Sequence, residues 1–253
     1  MSRVISVSNQ KGGVGKTTTT INIAAFLAEK GKRVLIIDID PQGNAGFGLG
    51  INAEEIQNTI YEVLIKEIPV EDAIFKTEIE NLFIIPSNIH LSGAQVELLN
   101  YDKREFILKE IISKIKKDFD VILIDCPPSL GILTLNSLVA ADSVLIPLQC
   151  EYYALEGLNQ LLRVIAMVQE NLNKNLVVEG VVLTMYDPRT NLSQQIVSDV
   201  REYFKEKVFK TIVPRNVKLS EAPSFGKPIN LYDRNCTGCE SYEKLSLEVL
   251  ENV

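Results

Sequence analysis

"NQKGGVGKTTTT", residues Asn9 to Thr20, decides the fold. Its end, Gly15-Lys16-Thr17, fits the phosphate-loop pattern G-x-x-x-x-G-K-[ST], yet the first glycine of that pattern falls at Gln10. The glycines sit instead at Gly12 and Gly13, behind a second lysine, Lys11. A strand-like run, "RVISVS" (Arg3 to Ser8), precedes the loop, and a helix-like run, Thr17 to Lys30, follows it. In that setting glycines let the backbone curl with its N–H groups facing phosphate oxygens, and the helix N-terminus adds a favourable dipole. Gly12, Gly13, Val14, Gly15 and Thr18 are then the phosphate cradle. Lys16 reaches the β- and γ-phosphates, and the Thr17 hydroxyl coordinates Mg²⁺. One lysine serves one nucleotide, so Lys11 needs another reason.

Working outward, apolar β-branched runs alternate with helical patterns. "RVLIID" (Arg33 to Asp38), "LFIIP" (Leu82 to Pro86), "DVILID" (Asp120 to Asp125), "SVLIPL" (Ser143 to Leu148), "VEGVVLT" (Val178 to Thr184) and "KTIVP" (Lys210 to Pro214) read as strands. Several are nearly continuous in Val, Ile and Leu, as strands buried on both faces of a parallel sheet are. Helical stretches are expected at 104–117, 130–141, 154–171, 192–207 and 240–251. The fold class is α/β: a P-loop NTPase with a doubly wound, mostly parallel sheet flanked by helices and ligands at the carboxyl ends of the strands. No repeat, low-complexity tract or linker divides the chain, so residues 1–253 read as one domain.

Two strand ends carry carboxylates. Asp125 closes "VILID" before "CPPS", where a Walker B aspartate holds Mg²⁺ through a water. "DIDPQGN", Asp38 to Asn44, ends the second strand with two aspartates one residue apart. One of that pair can face the metal and the other the γ-phosphate. A carboxylate or glutamine placed there could orient an attacking water.

Composition limits the alternatives. A hydrophobic content of 46% and a charged content of 23% are those of an ordinary globular protein. No signal-peptide pattern or membrane-length apolar run is seen, and four cysteines make no disulfide framework, so a cytoplasmic location is expected. The net charge of −7 speaks against nucleic acid, but its distribution is uneven. Between Met185 and Arg234 nine Lys/Arg face six acids, a local +3 that leaves −10 for the rest.

Together "KGGVGKTT", "DIDPQGN" and "VILIDCPPS" resemble the deviant Walker A, switch I and Walker B motifs of the ParA/MinD ATPases. "TMYDPRTN" (Thr184 to Asn191) and "VPRNVKLSEAPSFGKPI" (Val213 to Ile229) are similar to the chromosomal ParA branch, often termed Soj. The resemblance runs from Arg3 almost to the end. It implies an ATP- and Mg²⁺-dependent ATPase whose two subunits sandwich two ATP molecules, with Lys11 crossing to the neighbour's phosphates. It further implies that Asp40 positions the water, that Asp38 supports the metal, and that Pro214, Arg215 and Asn216 contact adenine. Gly12 and Gly13 make room for a close interface. Arg189 and Lys218 fall where that branch binds DNA without sequence preference, Lys218 replacing the usual arginine and losing its bidentate fork. A ParB-type centromere-binding protein would stimulate hydrolysis, and the ATP state would be nucleoid-associated.

A MinD-like membrane-positioning ATPase is the alternative. Those proteins end in a basic amphipathic helix, whereas this chain ends "SYEKLSLEVLENV", with one lysine and several glutamates, so no membrane partner is expected. An iron–sulfur reductase of the same superfamily is suggested by Cys236 and Cys239 in "NCTGCE". A single CxxC is half a tetrahedral site, and the pair reads as replacing small residues. Cys126 reads as packing, and His90, the single histidine, as structural. With the first strand beginning at once, no helix-turn-helix for sequence-specific repression is expected.

Overall fold

The computed structural model describes residues 2–52, 55–152 and 154–252. Among them eight strands form one sheet: β1 (Arg3–Val7), β2 (Val34–Asp38), β3 (Phe75–Lys76), β4 (Leu82–Ile85), β5 (Val121–Asp125), β6 (Ser143–Gln149), β7 (Val177–Tyr186) and β8 (Val208–Pro214). Their order is β3-β4-β2-β5-β1-β6-β7-β8, parallel throughout except for the β3–β4 pair. Central β1 pairs with β5 on one side and β6 on the other, so the chain reverses its winding beside the loop that leaves β1. In doubly wound sheets that reversal opens the ligand crevice.

The near-continuous apolar runs follow from two-sided burial. Val4, Leu35, Ile37, Ile122 and Ile124 face one core, while Ile5, Val34, Ile36, Val121 and Leu123 face the other. Helix α1 (Lys16–Glu29) lies on the second face and packs with the C-terminal helix α11 (Thr237–Glu251). Ala24, Ala25 and Ala28 in α1 are small and buried, which permits that close approach. Short helices α2 (Asn44–Phe47), α3 (Ile60–Leu64) and α4 (Leu91–Glu97) follow β2 and β4. The first face is covered by α5 (Ile107–Ile115), α6 (Ile132–Ala140) and α7 (Ala154–Asn171). In α5 the spacing of Ile107, Leu108, Ile111, Ile112 and Ile115 puts every large apolar side chain on one stripe. Helix α8 (Asn191–Phe204) links β7 to β8, and α9 (Val217–Glu221) and α10 (Ile229–Tyr232) lead to α11.

Several expected boundaries shift. The helix expected over 104–117 is α only at Ile107–Ile115, with tighter turns at Arg104–Phe106 and Lys116–Asp118. Helix α6 starts at Ile132 because Gly131 is extended at its N-cap. Strand β7 is longer than expected, and α11 begins three residues early with Cys236 as its cap. Strand β3, two residues on the sheet edge, is too short for any periodicity to reveal.

A buried asparagine ties the elements behind the crevice. The Asn173 amide nitrogen lies 2.8 Å from the Ala141 carbonyl and 3.2 Å from those of Leu138 and Val139, capping the end of α6. Asn173→Ala orphans buried carbonyls and is expected to cost about 1–3 kcal/mol, read from urea unfolding.

Candidate active site

The β1–α1 loop is pinned from behind by the neighbouring strands. Asn9 Nδ2 donates to the Pro147 carbonyl at 2.7 Å, and Asn9 Oδ1 accepts the Lys11 backbone N–H at 3.0 Å. The Thr184 hydroxyl donates to the Val14 carbonyl at 2.9 Å. Gly13 and Gly15 have φ of 73° and 86°, a left-handed backbone that only glycine adopts without strain. Gly12 differs: its φ is ordinary, and an added Cβ would meet only Pro128 Cβ, at 3.8 Å. Among the described residues nothing requires a glycine there. Helix α1 has no side-chain cap, which leaves its first N–H groups open to an anion.

Lys16 is buried, and its ammonium donates to the Lys11 carbonyl at 3.2 Å. Burial lowers its pKa against the opposing charges of Asp125, Cys126 and Asp40. At the end of β5, Asp125 Oδ2 accepts from the Thr17 hydroxyl at 2.7 Å, and the Thr20 hydroxyl lies 3.2 Å from Oδ1. Asp38 sits beside Asp125 in the β2–β5 register and is fully buried. Its carboxylate accepts the backbone N–H groups of Asp40 and Ala45, each at 3.0 Å. Burial, then the Asp125 charge, pushes the Asp38 carboxyl well above the ordinary range. Asp40 is buried as well, with Oδ1 accepting the Gln42 N–H at 3.0 Å. The turn after it needs Gly43, where φ is 64° and a Cβ would stand 2.6 Å from the Ser87 carbonyl oxygen.

Three buried carboxylates therefore face one buried ammonium. Such an excess of negative charge favours a cation. Among the described residues no group of three or more His, Cys, Asp or Glu could hold a metal unaided. The donor set suits Mg²⁺, which keeps waters and substrate phosphate oxygens and needs only a hydroxyl and a carboxylate from protein. Thr17 and Asp125 provide these, with Asp38 behind them.

Burial pushes the Asp125 carboxyl up to about 7, against the hydrogen bond from Thr17 and the charge of Lys16. A raised carboxyl costs nothing while protonated in both folded and unfolded chains. Its cost then grows as pH rises from the ordinary value of 3.8 towards 7 and stays level beyond. Asp125→Asn should thus raise the melting temperature of the nucleotide-free protein more at about pH 8 than at about pH 5.5. It should also weaken Mg²⁺-dependent nucleotide binding. Calorimetry at the two pH values checks the sign.

Beside the loop lies a cavity of about 300 Å³, lined among others by Gly15, Thr18, Pro214, Arg215, Asn216 and Tyr242. The "PRN" run thus meets the end of the phosphate loop across this cavity. A wider hollow of about 630 Å³ opens between α7 and α8, lined in part by Leu192, Ile196 and Asp199, but it carries no phosphate-binding loop. Two lining residues of the smaller cavity escaped the sequence reading. Tyr242 is buried, with its hydroxyl 3.0 Å from that of Thr19, and Met185 sits at a left-handed φ of 52°.

Lys11 stands apart from Lys16. Its side chain is 32% exposed, and its ammonium lies 3.4 Å from Glu151 Oε2. Arg215 approaches Glu151 Oε1 at 3.4 Å, and Gln149 donates to the same oxygen at 2.6 Å. Glu151 went unread in the sequence, although it follows the end of β6 much as Asp38 and Asp125 close β2 and β5.

Arg189 and Lys218 come from the carboxyl ends of the adjacent strands β7 and β8, and neither is a bare cation. Arg189, 84% exposed, forks onto Asp187 at 2.9 and 2.7 Å, and these bonds hold the Asp187 carboxyl down at about 2. Lys218 donates to Glu221 at 3.0 Å and lies 5.7 Å over the Tyr232 ring. Cys126 is buried, its sulfur 3.1 Å from the Ser137 hydroxyl, and His90 lies exposed at the start of α4. Helix α11 buries Tyr242, Leu245 and Val249 in the core shared with α1, so its apolar face is already covered. No helix among the described residues is long and apolar enough to cross a membrane.

Residues 2–178 match a family profile described as an AAA domain. The chromosome partitioning protein ParA of Myxococcus xanthus is 57% identical over 249 residues, covering 98% of this chain and 88% of that protein. The sporulation initiation inhibitor protein Soj of Bacillus subtilis is 54% identical over 252 residues, covering 100% of both. Among solved structures, cobyrinic acid a,c-diamide synthase from Mycobacterium smegmatis with bound ADP and magnesium superimposes with a TM-score of 0.88 at 39% identity. That alignment spans 100% of this chain and 95% of the other. The cell division ATPase MinD of Pyrococcus furiosus gives 0.83 at 28%, over 100% of both chains. A phosphate loop with a second lysine, two carboxylate-bearing strand ends beside it and end-to-end identity above half with ParA and Soj agree: the chain belongs to the ParA/Soj branch of the ParA/MinD family of P-loop ATPases.

Proposed function

We propose that residues 1–253 form one ATPase domain that hydrolyses ATP with Mg²⁺, dimerises around the nucleotide and binds DNA without sequence preference to drive chromosome or plasmid partitioning. A ParB-type protein stimulates the hydrolysis. The protein is cytoplasmic and joins the nucleoid in its ATP state. The observation that carries this reading is the division of labour between the two lysines. Lys16 is buried among the carboxylates of its own site, while Lys11 lies on the open side of the loop, tied only loosely to Glu151.

The residues divide the chemistry as follows. Gly13, Val14, Gly15 and Thr18 turn backbone N–H groups towards the phosphates, and Lys16 neutralises them. Thr17 and Asp125 would hold Mg²⁺, which when bound supplies neutralising charge at the phosphates. Asp40 orients the attacking water, and Asp38 holds the Asp40 and Ala45 backbone in place. Lys11 brings a cation to the partner's phosphates only once two subunits meet, across a face kept bare by Gly12.

DNA binding follows the same logic of doubling. One subunit presents a mildly basic surface whose two named cations already have acidic partners, so phosphate competes with Asp187 and Glu221. Binding that is weak per subunit becomes useful when a dimer repeats it, and it falls steeply with salt. The test is a DNA titration with ATP, ADP or no nucleotide at two salt concentrations, beside anionic liposomes. ATP-only binding that weakens with salt and is lost in Arg189→Glu supports the proposal. Liposome pelleting without DNA binding overturns it in favour of a membrane-positioning ATPase.

A further inference from the structure

The CxxC pair at the start of α11 is unused by the chemistry above. Cys236 is the N-cap of that helix, and its sulfur accepts the Cys239 backbone N–H at 3.3 Å. A cap normally calls for an oxygen, and sulfur accepts weakly, so capping does not explain a thiol there. Cys239 is 1% exposed in the core shared with α1, whereas Cys236, packed against the same core, is only partly buried. Metal binding lacks further ligands among the described residues. The first turn of α11 thus sets a partly buried cysteine beside a fully buried one, the sulfur of the first on the backbone N–H of the second.

We infer that Cys236 and Cys239 form a redox-active dithiol that closes to an intrachain disulfide and thereby alters the adjoining nucleotide cavity. The oxidant is a small-molecule disulfide. Cys236, the more open of the two, attacks as its thiolate one sulfur of that disulfide, forming a mixed disulfide and releasing one small thiolate. The Cys239 thiolate then attacks the Cys236 sulfur, closing the ring and releasing the second thiolate. The two cysteines lose two electrons and two protons, and the small disulfide takes them up as two thiols. Burial pushes the Cys239 thiol up to about 11, against the pull of the Arg234 guanidinium, so the buried sulfur takes the second, resolving step.

The two residues between the cysteines, Thr237 and Gly238, touch the wall of the cavity. The Thr237 hydroxyl accepts from Asn216 Nδ2 at 2.9 Å, and Asn216 in turn caps α9, its Oδ1 accepting the Lys218 N–H at 2.8 Å. Gly238 is packed so hard on α9 that a Cβ would stand 2.7 Å from Leu219 Cγ. Asn216, Leu219 and Tyr242 all line the cavity. Disulfide sulfurs are only about 2 Å apart, closer than two thiols rest, so closure must tighten this first turn against α9. The coupling rests on the nucleotide reading of that cavity, whereas formation of the disulfide does not.

The experiment equilibrates the native full-length protein in glutathione buffers of graded ratio. Free thiols are mapped by peptide mass, and affinity for a fluorescent ATP analogue is then measured. The expected result is one Cys236–Cys239 disulfide, with Cys126 and Cys150 still reduced, and affinity lowered at least about threefold and restored by reductant. Cys236→Ser, whose hydroxyl caps at least as well, should keep the affinity of the reduced protein and lose its response to oxidant. Two free thiols in oxidising buffer overturn the site. A disulfide with unchanged affinity, or equal loss in Cys236→Ser, overturns the coupling. Reduced protein that binds no nucleotide refutes the proposed function and leaves the thiol result standing.

Discussion

Lys11→Ala should leave the monomer folded and able to bind nucleotide, yet remove both ATP-dependent dimerisation and hydrolysis. The expectation rests on how little this side chain does at home. Its ion pair with Glu151 is long and partly exposed, a kind worth about 0–1 kcal/mol, so its loss barely alters stability. The loop keeps its shape because the contacts that pin it, from Asn9 to the Lys11 N–H and from Lys16 to the Lys11 carbonyl, involve only the Lys11 backbone. Lys16 is the opposite case, buried and central, so Lys16→Ala should lose nucleotide binding itself. A cation supplied to the developing charge of a phosphoryl transfer is worth about 10³–10⁵-fold in turnover. Here the loss should reach background, because the dimer that completes the site does not form. Light scattering with ATP reads the result, and a full-sized dimer of Lys11→Ala would sink the assignment.

How far this was legible in the sequence depends on the length scale of each signal. The strands buried on both faces could be read because every residue of β2 and β5 must be apolar until the terminal aspartate, where the strand reaches the crevice. The phosphate loop could be read because Gly13 and Gly15 are demanded by backbone φ, a local constraint that survives in one sequence. Contacts between distant segments could not. That Glu151 receives Lys11 and Arg215, or that Tyr242 reaches Thr19, depends on how β6, β8 and α11 converge, and no spacing records it. Charge was legible only as a sum. The +3 of the C-terminal third is real, but Asp187 and Glu221 lie close enough in sequence to claim the two cations singled out for DNA. The cysteine pair was visible as a motif, whereas its division into one partly buried and one fully buried residue was not.

Asp40→Ala is the converse of the lysine variant and should trap the dimer rather than prevent it. The Asp40 carboxylate accepts a single N–H, from Gln42, so the turn at Gly43 keeps its other supports when the side chain is lost. The Asp40 backbone N–H still reaches Asp38, and the Gly43 N–H still reaches the Asp40 carbonyl at 2.9 Å. What disappears is a negative charge beside Asp38 and Asp125, in a site already crowded with carboxylates. Phosphate repulsion falls, so ATP should bind at least as tightly as in the parent protein. The attacking water, however, loses the group that orients it and takes its proton, a contribution of about 10²–10⁴-fold. On the proposed function, binding and dimerisation should then proceed while hydrolysis does not, and the ATP dimer should accumulate on DNA without release by a ParB-type partner. Steady-state turnover and dimer lifetime after removal of free ATP measure the two halves separately. Normal turnover in Asp40→Ala would move the water-positioning role to another group, and a dimer that fails to form would mean that Asp40 holds the switch rather than the water.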